Sequence, residues 1–304
     1  MKSTVEALQL KQKLIQNLED ALELKGDTAL SQQLSIVVVG GGATGVEVSG
    51  ALAEMRNDIL PKDYPDLDFG NMKIYLLENS PEILGAMSDK SSIESKKYLQ
   101  QLGVDVQNES ALENFDGGMV TLRDGRTIAT KTVIWAAGIK GNVPQGIDTE
   151  LVVRGNRIKV DRTSKMLGFE NIYILGDVAY METPKYPKGH PQVANVAINQ
   201  AKNLAVNMLR MVTGNKHFLN EFEYHDKGSL ATVGRHLAVV DIPNPKIHFS
   251  GFFAWLVWMG LHLVLILGVK NRLQIFINWV YKYFTHDQSL RLLFRGYYRG
   301  TKNE

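Results

Sequence analysis

A chain of 304 residues, 44% hydrophobic and 22% charged, has material for two domains with a core each. It holds no cysteine, which excludes a disulfide framework, a thiolate metal site and a redox-active cysteine pair, and with the last the chemistry of a disulfide reductase. The net charge of +2 is uneven: residues 270–304 carry seven lysines and arginines against Asp287 and Glu304, so +5 sits on this tail and −3 on the rest, a pattern that suits an anionic partner, lipid or nucleic acid.

Met1-Lys-Ser-Thr-Val lacks the apolar core of a signal peptide, which fits folding in a cytoplasm. Residues 3–25 are predicted as one helix, with Leu10, Leu14, Leu18, Ala21 and Leu22 on one face. Gly26-Asp27 ends it and leads into a strand near Leu34. Ile36 to Val39 reads as a buried parallel strand, followed by Gly40, Gly42 and Gly45 in G-x-G-x-x-G order and a helix of small and apolar residues from Val46 to Met55. Gly40 permits a tight turn, Gly42 lets backbone approach a pyrophosphate, and Gly45 lets the helix pack on the strand. Strand, glycines and helix in that order predict a dinucleotide site, with the helix N-terminus turned to the phosphates.

Asn57 to Asn71, with two prolines and four aspartates, is expected to be a surface insertion. Lys73 to Glu78 is the second strand. Glu78 at its end stands where a dinucleotide fold places the carboxylate for the adenosine ribose hydroxyls, and Asn79-Ser80 offers no arginine for a 2′-phosphate, so NADH is favoured over NADPH. A helix over Lys90–Leu102, a strand over Val104–Val106, a three-stranded meander up to Ile128 and a strand over Lys131–Trp135 follow, the last ending on Ala136-Ala137-Gly138. Leu151–Val153 and Arg157–Val160 read as a hairpin. A strand over Asn171–Leu175 ends on Gly176-Asp177, and a helix from Pro191 to Val212 begins with proline in its first turn.

These pieces in this order resemble the type II (non-proton-pumping, alternative) NADH:quinone oxidoreductases of the pyridine nucleotide-disulfide oxidoreductase-like FAD/NAD(P)-binding superfamily. The matching stretches are Val-Val-Gly40-Gly-Gly-Ala-Thr-Gly-Val-Glu47, Ile-Trp-Ala-Ala-Gly138, Tyr-Ile-Leu-Gly-Asp177, Pro191-Gln-Val-Ala-Asn195-Val-Ala-Ile-Asn199-Gln, and Asp226-Lys227-Gly228 running on to Arg235. The resemblance implies an α/β two-dinucleotide-binding-domain flavoprotein (Rossmann-like) fold. It assigns cofactor contacts, to NADH and FAD, to Gly40, Gly42, Ala43, Thr44, Gly45, Glu78, Ala137, Gly138, Gly176, Asp177, Gln192 and Val193. It places Glu47 and Lys227 in the catalytic site, and Asn195, Asn199, Lys227 and Leu230 at the quinone. The implied reaction is hydride transfer from NADH to FAD, then two-electron reduction of a membrane quinone; the helix after Pro191 turns its positive end to the flavin pyrimidine ring. Read from the residues alone, Glu47 is an ordinary acid and Lys227 a solvated lysine. Two departures stand out. Asn195 and Asn199 replace the family's usual glutamines, and the first FAD-binding βαβ unit with its own glycine motif is not in the sequence, which therefore reads as N-terminally truncated.

The implied domains are a helical lead-in from the FAD domain (1–33), the NADH-binding Rossmann domain (34–140), the remaining part of the FAD domain (141–248), and C-terminal amphipathic membrane-associated helices (249–304). Phe252 to Gly268 is a run of 17 residues without Asp, Glu, Lys or Arg, short of the ~20 that a span needs. Leu273, Phe276, Ile277, Val280, Tyr281 and Phe284 then make one apolar stripe, and Leu290, Leu293, Phe294 and Tyr297 another, beside Arg291, Arg295 and Arg299. Basic amphipathic helices of this kind lie on an anionic lipid membrane surface, and their continuous apolar faces argue against nucleic acid. A peripheral place on the cytoplasmic face of the inner membrane is expected. Two alternatives stay open: a non-catalytic nucleotide-binding membrane-associated fragment, and a soluble NADH:acceptor reductase whose apolar tail is buried in a homodimer. No metal site is expected.

Overall fold

A computed structural model describes residues 3–214 and 219–285. They fall into two compact units, Gly138–Asp226 forming one and the chain on either side of it forming the other.

The flanking unit opens with α1 (Thr4–Ala21), whose N-cap Ser3 accepts the Glu6 N–H. The helix expected over 3–25 is α1, ending at Ala21; after Gly26, at φ +94°, comes a helix the sequence did not foretell, α2 (Asp27–Leu34), with Asp27 favouring its first turn. β1 (Ile36–Val39) runs parallel to β2 (Ile74–Leu77) and β7 (Thr132–Trp135), and β2 to β3 (Val104–Gln107), giving the order β3-β2-β1-β7. Ile36 and Val38 enter one core and Val37 and Val39 another, which is why this strand has no polar position. The first core holds α3 (Ala43–Glu54) and α5 (Asp89–Gln101); the second holds the meander β4 (Leu112–Phe115), β5 (Met119–Leu122) and β6 (Thr127–Ala129).

The surface insertion expected after α3 is partly core. α3 continues through a π-type turn, Met55–Ile59, into α4 (Leu60–Asp63), and Ile59, Leu60 and Leu67 are buried. Arg56 holds this turn by donating to the carbonyls of Met72 (3.3 Å), Leu102 (2.7 Å) and Gly103 (3.2 Å).

In the unit Gly138–Asp226, β8 (Val152–Val153) and β9 (Arg157–Val160) form the expected hairpin, and β10 (Ala179–Met181) lies parallel to β9. The strand expected over Asn171–Leu175 is not one: Tyr173 makes a single bridge to Lys165 before the chain turns at Gly176, φ +67°. α6 spans Ala194–Val212 with Val193 as N-cap, so Pro191 precedes the helix and does not stand in its first turn. Val160, Ala179, Met181, Val196, Phe222 and Tyr224 form the core.

Returning to the flanking unit, β11 (Ser229–Thr232), β12 (Ala238–Pro243) and β13 (Lys246–Gly251) make an antiparallel sheet, a hairpin pattern the sequence reading did not extract. Asp241 on β12 ties this sheet to α5. Its carboxylate accepts the Ser88 N–H (2.7 Å) and the hydroxyls of Ser88 and Ser91 (each 2.9 Å), and faces His248 Nδ1 at 2.8 Å. α7 (Phe252–Leu265) is 14 residues long, about 21 Å at 1.5 Å per residue, against a hydrocarbon layer of about 30 Å. No helix among the described residues is long and apolar enough to cross a membrane. α8 (Val269–Thr285) leaves Leu273, Phe276, Ile277, Val280 and Tyr281 exposed. The second stripe, Leu290–Tyr297 with its arginines, lies outside the described residues.

Candidate functional site

Gly40, Gly42 and Gly45, between β1 and α3, have three different surroundings. Gly40 has φ +106°, and a Cβ there would stand 2.6 Å from the Ala137 Cα, so the small residues ending β7 are what this turn packs on. A Cβ on Gly45 would stand 1.8 Å from the Gly40 carbonyl oxygen. A Cβ on Gly42 would meet nothing within 4 Å. Gly42, Ala43 and Thr44 are exposed, and Gly42 as N-cap supplies no side chain to the first N–H groups of α3. Open space, free donors and the positive end of a helix fit a pyrophosphate. Glu78 stands against this loop, but with a role the sequence did not disclose: Oε2 accepts the Gly41 N–H at 2.6 Å and Oε1 the Ser80 N–H at 2.7 Å. It fixes the loop and keeps lone pairs for a ligand hydroxyl.

The face of α3 away from β1 carries two carboxylates. Glu47 Oε1 receives the N–H and the hydroxyl of Thr232 on β11, each at 3.3 Å. Burial pushes the Glu47 carboxyl above its ordinary value, while the Thr232 bonds and the charge of His262 on α7 pull it back. One turn on, a Cβ at Gly50 would stand 2.6 Å from the Gly234 N, so helix and strand touch backbone to backbone. Glu54 then accepts the Arg235 N–H, and burial raises its carboxyl to about 7 despite that bond and the Arg235 charge. Leu230 is two residues from Thr232 on β11 and packs with Val240 and Ala254; Lys227, just before this strand, is exposed. Thr232 and Glu54 escaped the sequence reading, because nothing in the chain marks which strand α3 will meet.

In the unit Gly138–Asp226, Gly176 N donates to Gln200 Oε1 (2.8 Å) and Gln192 Nε2 to the Asp177 carbonyl (2.8 Å), stitching the Gly176-Asp177 turn to the start of α6. Asp177 is exposed, and Val193 caps α6 without a side-chain bond, so both a carboxylate and free helix N–H groups are presented. Asn195 and Asn199 stand one turn apart on α6, the first exposed and the second half-buried. Gly138, at φ +81°, has open space where a Cβ would be. These groups fit the ribityl and ring ends of a flavin.

Residues 2–201 match the model of the pyridine nucleotide-disulphide oxidoreductases. The chain belongs to that family. These 304 residues contain no cysteine, and residues 226–286 match the NDH2 C-terminal domain. Among curated relatives, the type II NADH:quinone oxidoreductase NdhA of Mycobacterium tuberculosis is 32% identical over 291 residues, 92% of this chain and 60% of the relative. The external NADH-ubiquinone oxidoreductase 2 of Saccharomyces cerevisiae is 30% identical over 93% of this chain and 57% of its own length. The chain thus spans about 60% of the length of the curated relatives it matches. NDH2 from Plasmodium falciparum, solved in complex with NADH, shares the fold at a TM-score of 0.84 and 21% identity, over 97% of this chain and 74% of that one.

Gly42 and Gly45 separate binding from folding. Gly45→Ala drives a methyl into a carbonyl and is expected to cost several kcal/mol in urea unfolding, whereas Gly42→Ala should change stability by less than about 0.5 kcal/mol. Glu54 adds a pH dependence. Its folded carboxyl titrates near 7, above the ordinary value, so its contribution is fully present below about pH 4.5 and lost as the pH rises through 7. Glu54→Gln keeps an acceptor for the Arg235 N–H and should flatten the fall in melting temperature between pH 5 and 8; an unchanged slope would count against a buried, protonated Glu54.

Proposed function

We propose that this chain is the NADH-binding and quinone-facing part of a type II NADH:quinone oxidoreductase that works without proton pumping, attached peripherally to the cytoplasmic face of the inner membrane. FAD, if held by these residues, would supply the chemistry that accepts a hydride from NADH and delivers two electrons to a quinone. The chain's own residues prepare this. Gly42, Ala43 and Thr44 receive the NADH pyrophosphate, Glu78 the adenosine ribose, and Ala137 ends the strand beside them. Gly138, Gly176, Asp177, Gln192 and Val193 hold the flavin, with the uncapped N-terminus of α6 favouring negative charge on its pyrimidine edge. Asn195, Asn199, Lys227 and Leu230 contact the quinone. The domains follow the same division: residues 34–140 for NADH, 141–248 for FAD, 249–304 for the membrane.

The observation that carries this reading is the double use of α3. Its N-terminus forms the dinucleotide loop, and Glu47, about 7 Å further along the axis, is held by Thr232 with its carboxyl raised above its ordinary value by burial. Burial makes the Glu47 carboxyl a better proton holder than a solvated glutamate, and the conversion of quinone to quinol requires protons. Membrane attachment rests on α7 and α8. Phe253, Val264, Leu265 and Leu267 are 75%, 65%, 67% and 85% exposed, more apolar surface than a water-facing segment carries, and residues 270–304 add the basic charge that anionic lipid attracts.

In a fluorescence titration the chain should bind NADH more tightly than NADPH, and Gly42→Ala should weaken NADH by about tenfold, ~1.4 kcal/mol, at unchanged melting temperature. Purified protein that is yellow with FAD and reduces a quinone supports catalysis by this chain. Colourless protein that still binds NADH favours a nucleotide-binding membrane fragment instead. Flotation with anionic liposomes is expected for the intact chain and lost on deleting 270–304. Failure of the intact chain to float, together with a concentration-dependent dimer, would point to the soluble alternative.

A further inference from the structure

The turn that precedes α6 contains the most completely enclosed polar ring in the unit Gly138–Asp226. His190 is 1% exposed. Its imidazole sits edge-on among Tyr186, Phe222 and Tyr224, with centroids 5.0, 5.3 and 6.3 Å away. Nε2 lies 3.3 Å from Thr183 Oγ1, and that hydroxyl donates to Glu223 Oε1 at 2.6 Å. A threonine hydroxyl has one proton, and an ionised carboxylate has none to give. The Thr183 proton therefore goes to Glu223, Thr183 Oγ1 accepts, and His190 must be the donor through Nε2–H. Nδ1 is buried without a hydrogen-bond partner, as suits a bare lone pair rather than a second N–H.

The His190 backbone is held as firmly. Its carbonyl accepts Arg157 Nη2 at 3.0 Å, and the same buried guanidinium donates from Nη2 (2.6 Å) and Nε (2.9 Å) to the carbonyl of Ala179. Ala179 follows Asp177 by two residues, and His190 precedes the Val193 cap by three. One cation thus fixes both backbone segments that present the carboxylate and the helix end. Gly189 has φ +79°, and a Cβ there would stand 2.8 Å from Tyr180, so this turn leaves no room for a shift.

We propose that His190, as the Nε2–H tautomer donating to the Thr183–Glu223 pair, is the positioning residue that aims the uncapped N-terminus of α6. Its target, the flavin ring, rests on the reading given under Proposed function; the aiming itself does not. The ring stays neutral near pH 7. Burial pushes the imidazole below its ordinary value, the Glu223 charge opposes this, and the Arg157 and Arg162 charges reinforce it. Stability from this neutral ring is full above about pH 6.5 and is lost as the pH falls through the lowered folded value.

Three variants separate donation from packing. His190→Gln keeps an N–H donor, His190→Phe keeps the aromatic filling without a donor, and Thr183→Val removes the acceptor while leaving His190 in place. Amide hydrogen exchange at Val196 and Ala197, whose N–H groups bond the Val193 carbonyl, reports the first turn of α6 without any cofactor. Exchange there should rise at least tenfold in His190→Phe and Thr183→Val, and stay within threefold of the parent in His190→Gln. Nitrogen-15 spectra of the parent should show Nε2 protonated and Nδ1 bare at pH 7. FAD added to the same proteins should bind about tenfold more weakly to His190→Phe and Thr183→Val. If Thr183→Val exchanges like the parent, or Nδ1 carries the proton, the proposal is overturned. If exchange follows the donor but FAD binds none of the proteins, parent included, the positioning role stands and the flavin assignment fails.

Discussion

The whole arrangement depends on one contact with no side chain in it: the backbone of Gly45 against the carbonyl of Gly40. Only there can α3 cross back over the strand it leaves, and a single methyl, 1.8 Å from that oxygen, would push the helix off the sheet. The approach fixes the direction of the α3 axis, and with it where the helix N-terminus points and which side chains turn outward. A second backbone approach, Gly50 on Gly234, fixes the other side of the helix against the strand end after β11. Between the two, α3 has no freedom to roll. Glu47 and Glu54, three residues before and four after Gly50, are therefore delivered to the N–H groups of Thr232 and Arg235 as a geometric consequence.

That delivery shapes the electrostatics. A carboxylate that loses water gains only part of it back from one backbone N–H, so both acids are raised. Asp241, in the same unit, shows the opposite balance. Burial pushes it up too, but the Ser88 N–H, His248 and the Ser88 and Ser91 hydroxyls together hold it below its ordinary value. Shallower burial and more donors together leave Asp241 below its ordinary value while Glu47 and Glu54 stay above theirs.

Much of this was legible in the chain. Ile36–Val39 is buried on both faces and reads that way because every residue is β-branched; the glycine spacing foretold the tight turn at Gly40 and the close helix–strand approach at Gly45, and both are there. The α/β class and the family followed from the order of such pieces. What stayed hidden has a common cause. Asn57–Asn71 looks polar because its buried residues, Ile59, Leu60 and Leu67, are spaced across a π-type turn that breaks the helical period. Ile172 and Ile174 look like strand residues, yet they serve a loop, because Met166 N and Ser164 O take their backbone groups one at a time. Asn199 and Asp177 could be given roles from the motifs; Thr232 and Gln200, though inside the matching stretches, and Arg157 could not, since each matters for the carbonyl or N–H it meets after folding.

Those last residues suggest how a site of this kind is held. Gln200, Asn207 and Val196 lie on the buried face of α6, and two of the three are amides: Gln200 takes the Gly176 N–H, while Asn207 both donates to the Asn220 carbonyl and accepts its N–H. An apolar face would bury more area but would leave the irregular chain around Gly176 and Asn220 with unmet backbone groups, at about 1–3 kcal/mol each. Loops cannot satisfy themselves as strands do, so helix side chains complete them. The same logic makes Arg157, bridging the carbonyls of Ala179 and His190, more than a buried charge. It fixes two turns at once, and a turn fixed at its backbone can present an exposed carboxylate or a free helix end without a side chain to guide it.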